Sequence, residues 1–551
     1  MFGLPGTQTI DAFQALRRSS LRTVVATHEM AAAFMANGYA RASGRPGILT
    51  TIPGPGFTYA LTGLAEAWLD SVPIVHVVPA ARELPDREFA LQAIDQRAMA
   101  GPIVKRIIPA AGASEVASCA ISAYRLATDG EPGPVMLELP EDLFSADSSV
   151  DAGAPPETPR VSAASEQLDE MARAVGSASR VLLYLGAGVL DAPAAARAFA
   201  EATGAAVLTT TTARGVLSEA DDRVVVRDPG MQDTAVINAL VERADLVIAA
   251  GCKFSHNGAA GFNLRLPRSK LITINAGGPS RNYPARIHAT ADAGVTLRDL
   301  TGRIPPRLEQ QMGWDAAELA AWRTAALKFE RASQVEPRLE GTGKPVSALI
   351  RELRDALPDD AIVVTDSGLH QMSIRRYYEV RSPRGLIVPT NFQSMGYALP
   401  TAIGASIAAP GRRVVVIVGD GGMIMSGLEL LTAAREQVPL TVIVFNDGAY
   451  SLIRNAQLSG HGWSHGTDLV SPDFEALAAA TGVGYRLVGA DGLAAALTAR
   501  DPDGLCVRLV EVPLAESPGL ARIRRRGQIR ATARRLLPRK AHHFLSRWLK
   551  R

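Results

Sequence analysis

The chain has 551 residues, 47% hydrophobic and 21% charged, a length and composition that call for roughly three or four domains of an ordinary globular protein. No apolar run reaches the ~18 residues of a membrane span, and the N-terminus lacks the basic-then-apolar pattern of a secretory signal. Three isolated cysteines, Cys119, Cys252 and Cys506, offer neither a metal-ligand pair nor a disulfide framework, so a cytoplasmic location is expected. The net charge of +3 is uneven: residues 517–551 hold twelve Lys or Arg and no Asp or Glu, leaving 46 basic against 55 acidic residues in the body.

Three stretches alternate β-rich runs with helical periodicity, the pattern of parallel α/β layers. The expected fold class is therefore α/β, with three doubly wound parallel-sheet domains. The first domain, residues 1–150, has expected strands at 22–27, 47–51, 73–78 and 135–139. Glu29 falls in the first turn of the helix after the first of these, where a carboxylate favours the helix dipole whatever else it does. Gly54-Pro55-Gly56 follows the next strand, and Gln92 stands three residues before Asp95 and thirteen before Lys105. The Ser-, Ala- and Pro-rich segment 145–165 reads as a linker.

The second domain, 160–310, carries VLLYLGAG (181–188), AVLTTT (206–211), DLVIAAG (245–251) and LITINAG (271–277), each a buried-type strand running into a small-residue turn. A helical and polar connection over 307–344 leads to the third domain, 340–515, with AIVVTDSG (361–368), RVVVIVGDGG (413–422) and LTVIVFND (440–447). The tail, 516–551, mixes arginines with apolar residues, and Pro538 would break any single helix across it. Such a tail can lie on an anionic membrane or contact nucleic acid. Packing on the acidic body or over the mouth of a site is the favoured reading.

The third domain holds the pattern with most chemical content. Ligands of open α/β sheets bind at the carboxyl ends of strands, and VVVIV ends there in Gly419-Asp420-Gly421-Gly422. The glycines let backbone N–H groups come close to a phosphate. The next strand ends in Asn446-Asp447-Gly448, 26 residues after Asp420. One strand–helix–strand unit would make the two tips neighbours and offer a carboxylate, an amide oxygen and a free carbonyl, the hard oxygens that Mg²⁺ takes beside phosphate. Read alone, both segments are also ordinary Asp-Gly and Asn-Asp-Gly turns.

Gly-Asp-Gly with Asn at a strand end some two dozen residues on resembles the motif of thiamine-diphosphate enzymes. His28-Glu29, Gly38-Tyr39-Ala40-Arg41 and Gly54-Pro55-Gly56, in that order, resemble the pyrimidine-binding domain of the acetolactate synthase group. The resemblance implies thiamine diphosphate and Mg²⁺ as cofactors, with the metal on Asp420, Asn446 and the Gly448 carbonyl. It implies that Glu29 activates the cofactor by exchanging a proton with its aminopyrimidine, a task suited to a carboxyl held in an apolar site. Gln92 would face the reacting centre. The cofactor would be held by Gly54, His370, Gln371, Gln393, Met395 (the apolar wedge under the thiazolium), Gly419, Gly421, Gly422 and Tyr450. Such enzymes place the glutamate and the metal motif on different subunits, which implies a homodimer or homotetramer.

The implied activity is carboligation: decarboxylation of a 2-oxo acid and transfer of the acyl unit to a second carbonyl compound, as a transferase or lyase. A 2-oxo acid decarboxylase without ligation is the nearest alternative. A non-catalytic membrane- or nucleic-acid-binding protein that keeps the fold is an alternative of another class. Some positions depart from the family pattern. Leu369 replaces a polar residue, Gln393 a frequent Gly, Tyr59 an Asn, and Ala456 the Trp that narrows the acceptor pocket. CKFSHNGAAGF (252–262) stands where synthases have an Arg- and Asp-rich flavin-contacting segment, which argues against FAD. Tyr450, His461, Trp463 and His465 sit where a substrate lid is expected.

Overall fold

The computed structural model describes residues 1–80, 90–146, 159–304, 313–328, 336–498 and 505–516, and a few residues between 519 and 532. Most of the linker expected at 145–165, residues 307–312 and 329–335 of the 307–344 connection, and nearly all of the basic tail, Pro538 included, lie outside the described residues.

Three sheets follow one another along the chain. The first runs, edge to edge, Val24–Val25, Phe2–Gly3, Gly47–Thr50, Ile74–Ala80, Val135–Pro140 and Arg106–Pro109, all parallel. The second runs Ile287–Thr290, Leu271–Asn275, Leu246–Ala250, Val181–Leu185, Ala206–Thr209 and Val224–Val226, again all parallel. The third has seven strands centred on Val507–Ala515, Leu440–Asn446, Val414–Gly419 and Ile362–Thr365. It is parallel except for Arg338–Leu339, which joins Val507–Ala515 antiparallel. Val181–Leu185 and Leu246–Ala250 are buried at every position, as expected of strands covered by helices on both faces.

The first and third sheets share one hydrophobic core. Its centre is the crossing of helix Glu29–Ser43 with helix Ala398–Ala408, where Phe34 meets Tyr397 edge-on at 5.2 Å and the Tyr397 hydroxyl donates to Asn37 Oδ1 at 2.8 Å. Small residues make the crossing close. A Cβ on Gly38 would lie 1.9 Å from the Thr401 carbonyl oxygen, and one on Gly404 1.9 Å from the Met35 oxygen. Backbone cannot yield as a side-chain end can. Gly38→Ala is therefore expected to cost at least about 3 kcal/mol, the upper end of overpacking penalties, read as a lower midpoint in urea unfolding.

The central sheet is tied to the third through buried ion pairs. Arg375, on helix Leu369–Tyr377, makes a two-pronged contact with Asp228 at 2.8 and 3.0 Å, and Arg214 pairs with Glu219 at 2.6 Å while donating to the Arg375 carbonyl. Each such pair would leave an uncompensated buried charge if one partner were removed.

Candidate cofactor site

The site begins with two neighbouring strand tips. Val414–Gly419 and Leu440–Asn446 run side by side, with Gly419 opposite Phe445. The chain turns directly into helix Asp420–Ser426, so the free N–H groups of its first turn and Asp420 share the tip. Asp420 is buried, accepts from the N–H groups of Gly421, Gly448 and Ala449, and is shifted upward by burial.

The Ser471 hydroxyl lies 2.9 Å from Asp420 Oδ2 and 3.0 Å from Asn446 Oδ1. One hydroxyl proton cannot serve both, so three hard oxygens face one another with a single proton among them. That is the donor set a magnesium ion prefers. The Asn446 amide is held the right way round by Glu511, whose Oε1 accepts from Asn446 Nδ2 at 2.8 Å, while its Oε2 accepts from the Tyr485 hydroxyl at 2.6 Å. The Gly448 carbonyl accepts from Leu469 N–H at 2.8 Å and keeps one lone pair.

Beside the tip is a cavity of about 200 Å³ whose wall includes Asp420, His370, Gln393, Met395, Gly419, Gly421, Gly422 and Tyr450. Its glycines leave room that larger residues would fill. A Cβ on Gly421 would lie 2.7 Å from the Tyr450 ring, and one on Gly422 2.6 Å from Asp366 Oδ2. Burial pushes His370 down to about 4, so its ring is neutral near pH 7, and its Nε2 is buried without a hydrogen-bond partner among the described residues. A buried orphan nitrogen, a glycine cradle at a helix start and a cluster of hard oxygens together fit a diphosphate and its magnesium ion. Asp420, Asn446 and Gly448 would hold the metal, and His370 with the Gly419–Gly422 turn the diphosphate.

Gln371 stands apart from its neighbour His370. It is buried, donates to the Pro389 carbonyl at 3.3 Å and is not part of the cavity wall. The helix geometry that turns His370 towards the tip turns its neighbour about 100° away. Gln393 occupies left-handed backbone, with φ +65°, a conformation glycine takes at no cost. Its side chain donates to the Thr390 carbonyl at 2.7 Å. Ala456 is exposed on helix Ser451–His461 and outside the cavity wall, whereas Leu452 and Ile453 of that helix line it.

The first-domain candidates form a separate group. Glu29 opens helix Glu29–Ser43, is half-buried, and is not in this cavity's wall. Its Oε1 would be 3.1 Å from a Cβ on Gly56. Gly54, at φ +64°, would strike Gln92 with any Cβ, and Gln92 itself has φ +60° and accepts from Gln8 Nε2 at 2.5 Å. Gln96, which the motif reading passed over, accepts from Gly54 N–H at 3.1 Å and donates to the Pro79 carbonyl. Asp95 caps helix Gln96–Ala100, and Lys105 donates to the Leu126 and Asp129 carbonyls.

Two buried acids connect these groups. Asp70 accepts from the N–H groups of Thr390 and Asn391, and Glu66 from that of Ser394, so first-domain helix Pro55–Leu69 and its cap position the segment carrying Gln393 and Met395. Burial, then the Asp70 charge, push Glu66 up to about 7 against the opposing Ser394 N–H and Arg41. Burial also pushes Asp366 up to about 7 despite four backbone N–H donors. The folded protein thus keeps protons that the unfolded chain, with ordinary values of 4.5 and 3.8, has released. This contribution to stability is fully present below those ordinary values and is lost as pH rises to about 7. Glu66→Gln should flatten the fall in melting temperature between about pH 5 and 7, as followed by circular dichroism.

In the central domain the polar groups of segment 252–262 engage protein. Lys253 pairs with Glu131 at 2.7 Å, and Asn257 donates to the Thr390 carbonyl at 2.5 Å. At the other end of the chain, Gly527 and Gln528 lie against Gly462 at the end of helix Ser451–His461, and Arg524 pairs with Glu516 at 3.0 Å. These few described tail residues pack on the body at the end of that helix. Among the described residues no helix is long and apolar enough to cross a membrane.

Three family models match the chain in succession. They are the thiamine pyrophosphate enzyme N-terminal TPP-binding domain over residues 1–99, the central domain over 168–300, and the C-terminal TPP-binding domain over 366–505. The acetolactate synthase isozyme 1 large subunit of Escherichia coli is 30% identical over 463 residues, covering 83% of this chain and 80% of its own length. The chain belongs to the thiamine pyrophosphate enzyme family. Within that family it is acetolactate synthase-like. An acetolactate synthase of Mycobacterium bovis is 30% identical over 507 residues, covering 88% of this chain and 81% of its own. A protein of Pseudomonas aeruginosa named as a probable 2-ketoarginine decarboxylase is 32% identical over 504 residues, covering 88% and 86%.

Seen as a thiamine pyrophosphate enzyme, the chain has residues around the tips that motif reading missed. Ser471 and Glu511 lie 25 and 65 residues beyond Asn446, with no local signal around either. Glu511→Ala is expected to free the Asn446 amide to flip and to weaken apparent Mg²⁺ affinity by roughly 10- to 100-fold, as loss of an outer partner does at metal sites. A Mg²⁺ titration of cofactor binding measures it.

Proposed function

We propose that the chain is a thiamine-diphosphate- and Mg²⁺-dependent carboligase that decarboxylates a 2-oxo acid and joins the acyl unit to a second carbonyl compound. The observation that carries this reading is the meeting of the Asp420, Asn446 and Ser471 oxygens beside a glycine cradle and the orphan His370 Nε2. Bound thiamine diphosphate supplies a nucleophilic carbon and an electron sink for 2-oxo acid chemistry. The protein's own part is to place and shield it. Met395, Leu452 and Ile453 offer apolar edges in the cavity wall, and the Glu29 carboxyl would hold the proton exchanged with the cofactor's ring nitrogen.

Glu29 serves the site of a partner chain in this reading. Ile424, Met425, Leu428 and Leu431 favour it: they are exposed in the single chain on and between helices Asp420–Ser426 and Glu429–Arg435, beside the cofactor cavity. An apolar strip of this kind calls for a covering surface, and a second copy presenting Glu29 would complete the site. The chain then works as a homodimer or a pair of dimers.

A screen of 2-oxo acids, each with and without aldehyde or 2-oxo acid acceptors, tests the assignment. Release of CO₂ with a new C–C product is expected. Release of CO₂ with only the aldehyde in every acceptor arm would replace the ligase by the decarboxylase that one relative's name describes. No CO₂ from any 2-oxo acid would overturn both.

A further inference from the structure

A second cavity, of about 690 Å³, opens between the central and third domains. It shares no wall residue with the cofactor cavity. Six cationic side chains line it: Arg227, Lys328, Arg351, Arg354, Arg376 and Arg381; two carboxylates, Asp355 and Glu379, oppose them.

Most of these cations are already committed. Arg381 pairs with Glu379 and Asp359 at 2.8 and 2.9 Å. Arg354 donates to the Leu357 and Pro358 carbonyls, and Arg227 to Glu219 and to the Arg376 carbonyl. Arg351 and Arg376 differ. Among the described residues neither guanidinium has a hydrogen bond or an ion pair, although Arg376 is half-buried and next to Arg375. Arg227 Nε is also buried without a partner. A half-buried cation with no direct hydrogen-bond or ion-pair partner is costly unless an anion joins it. Planar guanidinium forks from two different helices, Val346–Ala356 and Leu369–Tyr377, suit phosphate oxygens taken two at a time. The Tyr377 ring and Leu327 add apolar wall for an organic part, and the volume lies in the usual range of small-molecule sites.

We propose that this cavity is a second ligand site, which binds an organic di- or triphosphate through Arg351 and Arg376. It touches the helix that carries His370 at its other end, so the ligand would sit one helix away from the cofactor.

Calorimetric titration of MgATP into the full chain, saturated with thiamine diphosphate and Mg²⁺ at about 0.15 M salt, tests it. One saturable site per chain is expected. Arg351→Glu and Arg376→Gln should each weaken it by roughly tenfold, the loss of one charge-assisted contact, with thiamine diphosphate affinity and melting temperature unchanged. Arg351 is exposed, so its replacement tests the site without threatening the fold. Absence of saturable binding would overturn the proposal. So would MgATP affinity unchanged from wild type in both variants, since the nucleotide would then be held by the cofactor cradle or the basic tail.

Discussion

Glu29→Gln should lower turnover by roughly 10²- to 10⁴-fold, the usual share of a positioned proton-transfer group, while Mg²⁺-dependent binding of thiamine diphosphate stays close to wild type. The expectation rests on separation. Glu29 lies on the first-domain helix, outside the wall of the cavity that holds Asp420 and the glycine cradle, so removing its charge leaves the diphosphate side untouched. Glutamine keeps the volume and hydrogen-bonding reach but carries no exchangeable acid proton. Steady-state turnover together with a cofactor titration measures both halves. A variant that kept full activity would remove Glu29 from the chemistry, and one that lost cofactor binding would make its role structural.

Asp420→Ala should act on the other half of the site. Loss of an outer partner already costs about 10- to 100-fold in metal affinity, and loss of the carboxylate itself should cost more, so cofactor binding and activity should fall together. The two variants also test the shared site. In an equimolar mixture of refolded Glu29→Gln and Asp420→Ala chains, half of the dimers are mixed, and each has one site with both groups intact if the glutamate comes from the partner. Activity should then recover to roughly a quarter of wild type by symmetry. No recovery would place both groups in one chain.

The long buried strands were legible because they are continuous apolar runs. Expected strands at 181–188, 245–251, 413–422 and 440–447 correspond to Val181–Leu185, Leu246–Ala250, Val414–Gly419 and Leu440–Asn446. The sheet edges were not. Val224–Val226 and Leu386–Ile387 have three and two residues, too short for any periodicity to register. The strand expected at 22–27 shrinks to Val24–Val25, because an edge strand pairs on one side only and its ends have no partner to hold them. Gln371 shows a different limit: of the adjacent pair His370 and Gln371 only the first lines the cavity, because successive helical residues point about 100° apart.

By itself the sequence determined the plan of three successive α/β units, the family, and the two strand tips bearing Asp420 and Asn446, since each depends on local pattern and on spacing within one strand–helix–strand unit. Only the tertiary structure decided what completes those tips: Ser471 between the two oxygens, Glu511 behind the Asn446 amide, and Asp70 with Glu66 holding the segment of Gln393 and Met395. The same holds for the basic cavity, whose two unpaired arginines lie on different helices, 25 positions apart in sequence. A polar side chain earns such a role through the buried group it satisfies across the fold, and that partner is a matter of packing, which no local stretch of sequence encodes.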